Sequence, residues 1–381
     1  MPSIDKLPSG RWRARYRDPQ GRSRSTTFDR KRDAERFLSA SSTDMERGRW
    51  TDPQRGRVTV GAWADEYLAT VVNLRASTRN TYERDLGKYV LPRFARVQLV
   101  QVRGVDVQAW LAEELASGLS PSSVHRHYRT LRRLLEVAVQ AQLIPLNPCD
   151  RVTPPSIPSV EMRFLTAAEV GDLAEAIGPW YRAFIYTAAY AGLRWSELVG
   201  LRAKRVDLLR RTVTVSEQLL LLDNGRRQVW EQPKTKAGVR SIGIPAFLAD
   251  MLQEQLDERA LAGADGLVFP NRARKPTASP SFNTHHFTPA KRRAEIDGRL
   301  RFHDLRHTAV ALAIAQGAHP KAIQARMGHS SVQMTLDRYG HLLPELDERV
   351  AQGLDETYRS ALESRTKATV PADLTRRRHV P

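Results

Sequence analysis

A short series of cationic and hydrogen-bonding residues runs through the C-terminal half of the 381-residue sequence. Arg194 stands two residues after Gly192 at a junction between helical patterns, in Gly-Leu-Arg-Trp-Ser-Glu-Leu. Lys234 and Lys236 sit in the turn Pro-Lys-Thr-Lys of a strand-rich stretch. His303 and Arg306, three apart and so on one face of a turn or helix, lie in Phe-His-Asp-Leu-Arg-His-Thr. His329 follows in Met-Gly-His-Ser-Ser, and ten residues further comes Tyr339 in Asp-Arg-Tyr-Gly-His. Other chemistries lack their equipment. No glycine-rich phosphate loop occurs, which argues against nucleotide hydrolysis. The single cysteine, Cys149, excludes a paired-cysteine zinc pattern. His303 and His307 are spaced to share a helix face, but a third ligand and an HExxH pattern are lacking, and the adjacent His285 and His286 carry no chelating pattern. Neither a metal nor a cofactor is expected. Taken singly, each residue has an ordinary explanation: a surface ion pair for Arg194, a solvated turn for Lys234, a helix cap for His303 and Arg306, a half-buried aromatic for Tyr339.

Taken in order, arginine, lysine, His-x-x-Arg, histidine and tyrosine resemble the catalytic signature of the tyrosine recombinases, the phage-integrase family. The context matches too: GLRWSEL, PKTKAGVRSIGIP, FHDLRHT, MGHSS and DRYGH, spread over Gly192–His341, are similar to family blocks. The resemblance implies attack on a DNA phosphodiester. Without a metal, Arg194 and Arg306 would supply planar paired donors to the two non-bridging oxygens, and His329 another donor. Tyr339 would attack phosphorus and hold the DNA as a 3′-phosphotyrosine, which conserves the bond energy for rejoining. Lys234 would protonate the leaving 5′ oxygen, with Lys236 as the alternative. His303 would accept the tyrosine proton or hold the site in register. Glu197 is expected to buttress Arg194, and His307 and His341 to serve packing or hydrogen bonding.

Composition agrees with a DNA partner. Sixty Lys plus Arg against 42 Asp plus Glu leave a net charge of +18, which favours a polyanion. With 41% hydrophobic and 27% charged residues the chain is globular in composition. One cysteine rules out an intrachain disulfide and suits a reducing compartment. No signal-like N-terminus or spanning apolar run is visible, so a soluble, cytoplasmic protein without membrane contact is expected.

The expected fold is multidomain and mainly α. A small arm-type DNA-binding domain of β-sheet plus helix is assigned to residues 1–55. Within it, Arg11–Arg17 alternates as a half-buried strand, with Arg11, Arg13 and Arg15 presented towards DNA. A strand Ser23–Phe28 and a helix capped by Asp29 follow. Residues 58–147 form a helical domain that resembles the family's core-site binder. Its helices include one capped by Ser77 and one begun by Ser120 and Pro121, whose Arg126, Arg129 and Arg133 make a basic stripe for phosphate contact. A proline-rich linker occupies 148–160. The catalytic domain, 161–358, opens with the capping box Thr166–Glu169 and is mostly helical. Thr212–Leu222, Arg226–Glu231 and Arg240–Ile244 are expected to build one small antiparallel sheet within it. A basic, disordered tail is assigned to 359–381.

The reading is a site-specific DNA recombinase of a phage or integrative element, promoting integration and excision on double-stranded DNA attachment sites. The resemblance implies a homotetrameric synapse, in which the terminal helix with Leu346, Val350 and Leu354 docks on a neighbour. A host DNA-bending protein and an excision factor are further expected partners. Two competitors share parts of the evidence: a relaxing enzyme of the type IB topoisomerase kind, and a non-catalytic DNA-binding protein.

Overall fold

The structure is a computed structural model that describes residues 2–46, 52, 55–72, 74–158, 162–342 and 345–368. The chain divides into two compact units, Met1–Ser159 and Val160–Pro381.

The first unit begins with strands β1 (Ser3–Lys6), β2 (Trp12–Arg17) and β3 (Ser23–Phe28), an antiparallel sheet in the order β1-β2-β3. The alternation in β2 does what period two requires: Ala14 and Tyr16 are buried, and the intervening arginines face away. Helix α1 (Lys31–Glu46) closes the buried side, where Phe37 meets Tyr16 and Phe28 at ring distances of 5.6 and 5.2 Å. In the β2–β3 turn, Asp18 is buried and accepts from the backbone N–H of Gln20 and Arg22 and from Arg24 Nε. Those donors outweigh burial and lower its pKa.

Helices α2 (Val60–Thr70), α3 (Ala76–Asp85), α4 (Leu91–Phe94), α5 (Gly104–Ala116) and α6 (Pro121–Gln140) pack around one apolar core. Helix α6 is its spine. Ser120 caps it through the Ser123 N–H at 3.3 Å, and Val124, Leu131, Leu134, Leu135 and Ala138 are fully buried along one face. Trp63 of α2 donates to the Leu134 carbonyl at 3.0 Å, tying the helices edge to edge. Two expectations change here. Ser77 is not a cap, because the helix is entered from Arg75 and Ser77 already lies in its first turn. That helix, expected to run on through Tyr82, Leu86 and Tyr89, gives way after Asp85 to a wider π turn, Leu86–Val90, which holds the last two. The first part of the expected linker is built into the unit, with Cys149 and Val152 in the core and the Cys149 carbonyl accepting from Tyr128 Oη. Proline content broke the helix there without freeing the chain from the core.

The second unit contains α7 (Ala167–Ile177), α8 (Pro179–Tyr186), α9 (Trp195–Val199), strands β4 (Val206–Asp207), β5 (Thr212–Val215), β6 (Gln218–Leu222), β7 (Arg227–Glu231) and β8 (Arg240–Gly243), then α10 (Ala246–Glu258), α11 (Ser279–Phe282), α12 (Thr288–Arg293), α13 (Asp304–Ala315), α14 (Pro320–Met327), α15 (Val332–Tyr339) and α16 (Glu345–Ala368). The capping box forms as its residue types require: Thr166 N–H donates to Glu169 Oε2 and Glu169 N–H to Thr166 Oγ1. The single expected sheet is instead two, β4-β5-β8 and the hairpin β6-β7. Ser216 and Glu217 interrupt the run Thr212–Leu222, and β8 pairs with β5 rather than with β7. The tail expected from 359 is helical as far as Ala368; residues 369–381 lie outside the described residues. Helix α16 exposes Val350, Leu354, Tyr358 and Leu362, while the side chain of Leu346 lies outside the described residues. Among the described residues no helix is long and apolar enough to cross a membrane.

Leu131, fully buried at the centre of α6, tests the spine. Leu131→Ala should cost about 2–5 kcal/mol of first-unit stability by loss of transfer energy and cavity formation, read by urea unfolding followed through Trp63 and Trp110 fluorescence. A loss below about 1 kcal/mol would contradict a close-packed core.

Candidate active site

Glu197 is the centre of the arrangement. It is 3% exposed and sits in the first turn of α9. Its carboxylate accepts the Arg194 backbone N–H (2.9 Å) and Arg194 Nη1 (2.7 Å), and also Arg240 Nη1 (3.1 Å) and Nη2 (2.8 Å) from β8. Burial by itself would push the carboxyl up; the bonds and charge of Arg240, reinforced by Arg194, win and hold it at about 2. The expected Glu197–Arg194 pair is therefore present. Arg240 was not anticipated, although its place opposite Ser241 in the alternating strand, on the same face as the core residue Ile242, marks it as inward-facing.

Arg194 and Arg306 are positioned by carbonyls. Arg194 Nη2 donates to the Gly328 carbonyl at 3.3 Å. Arg306, on α13 and 4% exposed, donates to the carbonyls of Gly192 and Met327. Both glycines are conformationally required. Gly192 has φ +69°, and a Cβ there would lie 2.7 Å from Met327 Cε; Gly328 has φ +63°, and its Cβ would lie 2.8 Å from the Ala237 carbonyl oxygen. Burial and the Arg194 charge lower the Arg306 pKa to about 9, so it remains a cation at neutral pH. Three guanidiniums thus converge around one carboxylate in a poorly hydrated place. That surplus of positive charge is relieved by an anion.

His329 is buried directly after Gly328. Its Nδ1 is 2.9 Å from Thr335 Oγ1, and burial with the Arg306 charge lowers its pKa to about 4. His303 keeps an exposed ring just ahead of α13; desolvation and Arg306 lower its pKa. Tyr339, 2% exposed at the end of α15, lies near Arg306, and burial raises its pKa. Its hydroxyl is 2.5 Å from Nδ1 of His307, not of His303, whose ring meets His307 edge-on at 5.1 Å. Lys234 and Lys236 are exposed on the loop between β7 and β8, and neither ammonium is hydrogen-bonded or ion-paired among the described residues. That loop is nevertheless anchored to the cluster, since Arg240 Nη1 donates to the Gly238 carbonyl at 3.0 Å and Ala237 packs on Gly328. The side chain of His341 lies outside the described residues. No group of three or more His, Cys, Asp and Glu among the described residues could hold a metal ion.

The basic residues of the first unit fall into two kinds. Arg126 Nε donates to the fully buried Asp85 at 3.0 Å, and its Nη2 lies 3.1 Å from His127 Nε2, itself paired with Glu114. Arg126 is thus tied to Asp85, while its side chain stays 44% exposed. Arg126, Arg129 and Arg133 are all exposed and line an open cavity of about 440 Å³ with Tyr82 and Arg132. On the small sheet, Arg13 and Arg15 share Asp5, and Arg11 pairs with Asp29.

Comparison with known proteins establishes the family. Residues 163–345 match the phage integrase family, 3–47 the phage integrase N-terminal domain and 65–142 the phage integrase N-terminal SAM-like domain. The integrase assigned to prophage phiRv2 of Mycobacterium tuberculosis is 31% identical over 359 residues, covering 91% of this chain and 93% of that protein. The integrase of Mycobacterium phage L5 is 28% identical, covering 93% and 97%. Two solved structures share the fold: the Tn1549 transposon integrase bound to a circular intermediate DNA (TM-score 0.64, 24% identity, covering 74% of this chain and 95% of that one), and a lambda integrase dimer bound to a core site (TM-score 0.56, 17%, covering 89% and 94%). The chain belongs to the phage integrase family of tyrosine recombinases. It is a site-specific DNA-breaking and rejoining enzyme of that family.

Stability should register the central pair. Because the folded Glu197 pKa is depressed from 4.5 to about 2, its contribution is fully present above about pH 4.5 and is lost as pH falls towards 2. Glu197→Gln should cost about 3–5 kcal/mol by stranding Arg240, and should flatten the acid limb of a thermal-stability profile between those pH values. An unchanged acid limb would remove Glu197 from its central place.

Proposed function

We propose that this recombinase integrates and excises a phage or integrative element, cutting each strand through Tyr339. The observation that carries the reading is the convergence of Arg194, Arg306 and His329 on the poorly hydrated, positively charged place beside Tyr339. A scissile phosphate entering there would have its non-bridging oxygens held by the guanidiniums of Arg194 and Arg306. His329, with Nδ1 engaged by Thr335, has Nε2 left to donate to the same phosphate. These donors are set before the reaction and match the charge that grows on the oxygens as phosphorus is attacked, which is where electrostatic catalysis is strongest. Tyr339 Oη bonds to phosphorus, the 5′ oxygen leaves, and Lys234 protonates it. The exposed, unpaired state of Lys234 supports that assignment, because the loop can bring its ammonium onto bound DNA. Lys236, two residues along, is the alternative. His303 stands open at the edge of the site, where it can hold the phosphate in register. Rejoining reverses the steps on a new strand and needs no nucleotide.

The domain reading follows the same lines: residues 1–55 as arm-site binder with Arg11, Arg13 and Arg15 facing DNA, 58–147 as core-site binder, and 161–358 as catalytic domain. Arg126, Arg129 and Arg133 are the phosphate contacts of the core binder. Two DNA sites would be joined in a homotetramer, with a host DNA-bending protein and an excision factor setting direction.

Two experiments test this. A suicide duplex nicked near the crossover, carrying attachment sequence from beside the gene, should trap a covalent protein–DNA adduct on a denaturing gel, and Tyr339→Phe should abolish it. An adduct formed equally by the variant would move the nucleophile elsewhere. In anisotropy titrations across about 50–200 mM salt, Arg129→Ala and Arg133→Ala should each weaken binding on all sequences and lower the slope of log affinity against log salt by about one. Unchanged slopes would take both residues off the DNA.

A further inference from the structure

The hydroxyl of Tyr339 already has a partner, and the mechanism above gives that partner no role. His307 Nδ1 lies 2.5 Å from Tyr339 Oη. Both side chains are buried, at 4% and 2% exposure. His307 is one turn along α13 from His303 and adjacent in sequence to Arg306, so the helix that holds a phosphate-binding guanidinium also holds this imidazole. The contact crosses from α13 to the last residue of α15, and Phe164, 6.3 Å from the Tyr339 ring, packs beside it.

We propose, resting on the reading of Tyr339 as nucleophile, that His307 is the group that orients the Tyr339 hydroxyl and accepts its proton during strand cleavage. In the step, the proton passes from Tyr339 Oη to His307 Nδ1 as Oη bonds to phosphorus. The bond from phosphorus to the 5′ oxygen breaks, and that oxygen takes a proton from Lys234. In rejoining, a DNA 5′ hydroxyl attacks phosphorus as its proton returns to Lys234, the phosphotyrosine bond breaks, and Nδ1 returns the proton to Oη.

Geometry selects His307 over His303 for this task, since a proton acceptor must lie within hydrogen-bond reach of the atom it deprotonates. The protonation states agree. Burial, with the neighbouring His303, lowers the His307 pKa to about 4, so the ring is neutral and Nδ1 can accept. The charges around it are His303, Asp304 and Arg301 at the start of α13 and Arg338 on α15. Burial raises the Tyr339 pKa, so the proton stays on oxygen while the site holds no DNA. A phosphodiester anion entering beside Arg306 favours the imidazolium and begins to close that gap. The arrangement keeps the nucleophile protonated until its target arrives.

The test uses the full chain and the suicide duplex under single-turnover conditions. His307→Gln should slow adduct formation about 10²-fold or more while leaving duplex binding and the melting temperature near those of the unaltered protein. The part of the fall in rate at low pH that protonation of His307 causes should be lost in that variant, leaving the part due to His329. Replacing Tyr339 with a fluorinated tyrosine, whose phenol is more acidic, should restore a large part of the rate lost in His307→Gln. Cleavage by His307→Gln within about threefold of the unaltered rate overturns the proposal. So does a slow variant that the fluorinated tyrosine does not rescue, because that pattern marks a packing role. A variant that fails to bind DNA is replaced by His307→Asn, judged by the same rescue. Failure of the nucleophile reading is separate: it shows as an adduct that survives Tyr339→Phe, or as none with the unaltered chain.

Discussion

A single buried carboxylate organises the active centre. Glu197 closes the first turn of α9, fixes Arg194 through both backbone and side chain, and receives Arg240 from β8. Burying one carboxylate with two guanidiniums is costly unless every partner is satisfied, so removing any member leaves a charge stranded. Arg240 carries the constraint outwards, to the Arg326 carbonyl at the end of α14 and the Gly238 carbonyl of the lysine loop. One pair thereby sets the relative places of a helix, a strand, the loop with Lys234 and the segment that leads to His329.

Positive charge is concentrated at this centre beyond what its one carboxylate can balance. The depressed pKa values of Arg306 and His329 are consequences of that surplus and of burial. Stability is given up to hold like charges together, and the result is a preorganised place that suits an anion. Backbone carbonyls do the aiming. Gly192, Met327 and Gly328 accept from the two guanidiniums, and the left-handed backbone at both glycines turns those carbonyls inwards. A side chain at either position would collide with Met327 or with the loop at Ala237.

The first unit treats charge differently. Its polar network links Asp85, Arg126, His127 and Glu114 among α3, α5 and α6, with Arg84 also donating to Asp85. It orients helices and spends its charges doing so. Further along α6, Arg129 and Arg133 form no ion pair among the described residues. A regular basic stripe in sequence is thus exposed along its length but anchored at one end, because Asp85 lies beneath only Arg126.

Much of the site was legible from residue order alone. Arg194, His303, Arg306, His329 and Tyr339 are recognisable because their chemistry demands particular residue types, and the helix starts at Thr166 and Ser120 because caps are local. The pattern of β2 is equally local, since a strand buries alternate residues whatever lies beyond it. What depends on distant partners was not legible. The break at Ser216 and Glu217, and the pairing of β8 with β5, follow from which edges meet in space. The same holds for Arg240, whose partner lies 43 residues away, and for Arg126, held by Asp85 across 41. The sequence by itself determined the family, the cationic chemistry and the nucleophile's candidate. Only the tertiary structure decided that His307, rather than His303, meets the Tyr339 hydroxyl, because two histidines one helical turn apart differ in sequence only by position, whereas packing buries one against α15 and leaves the other open to solvent.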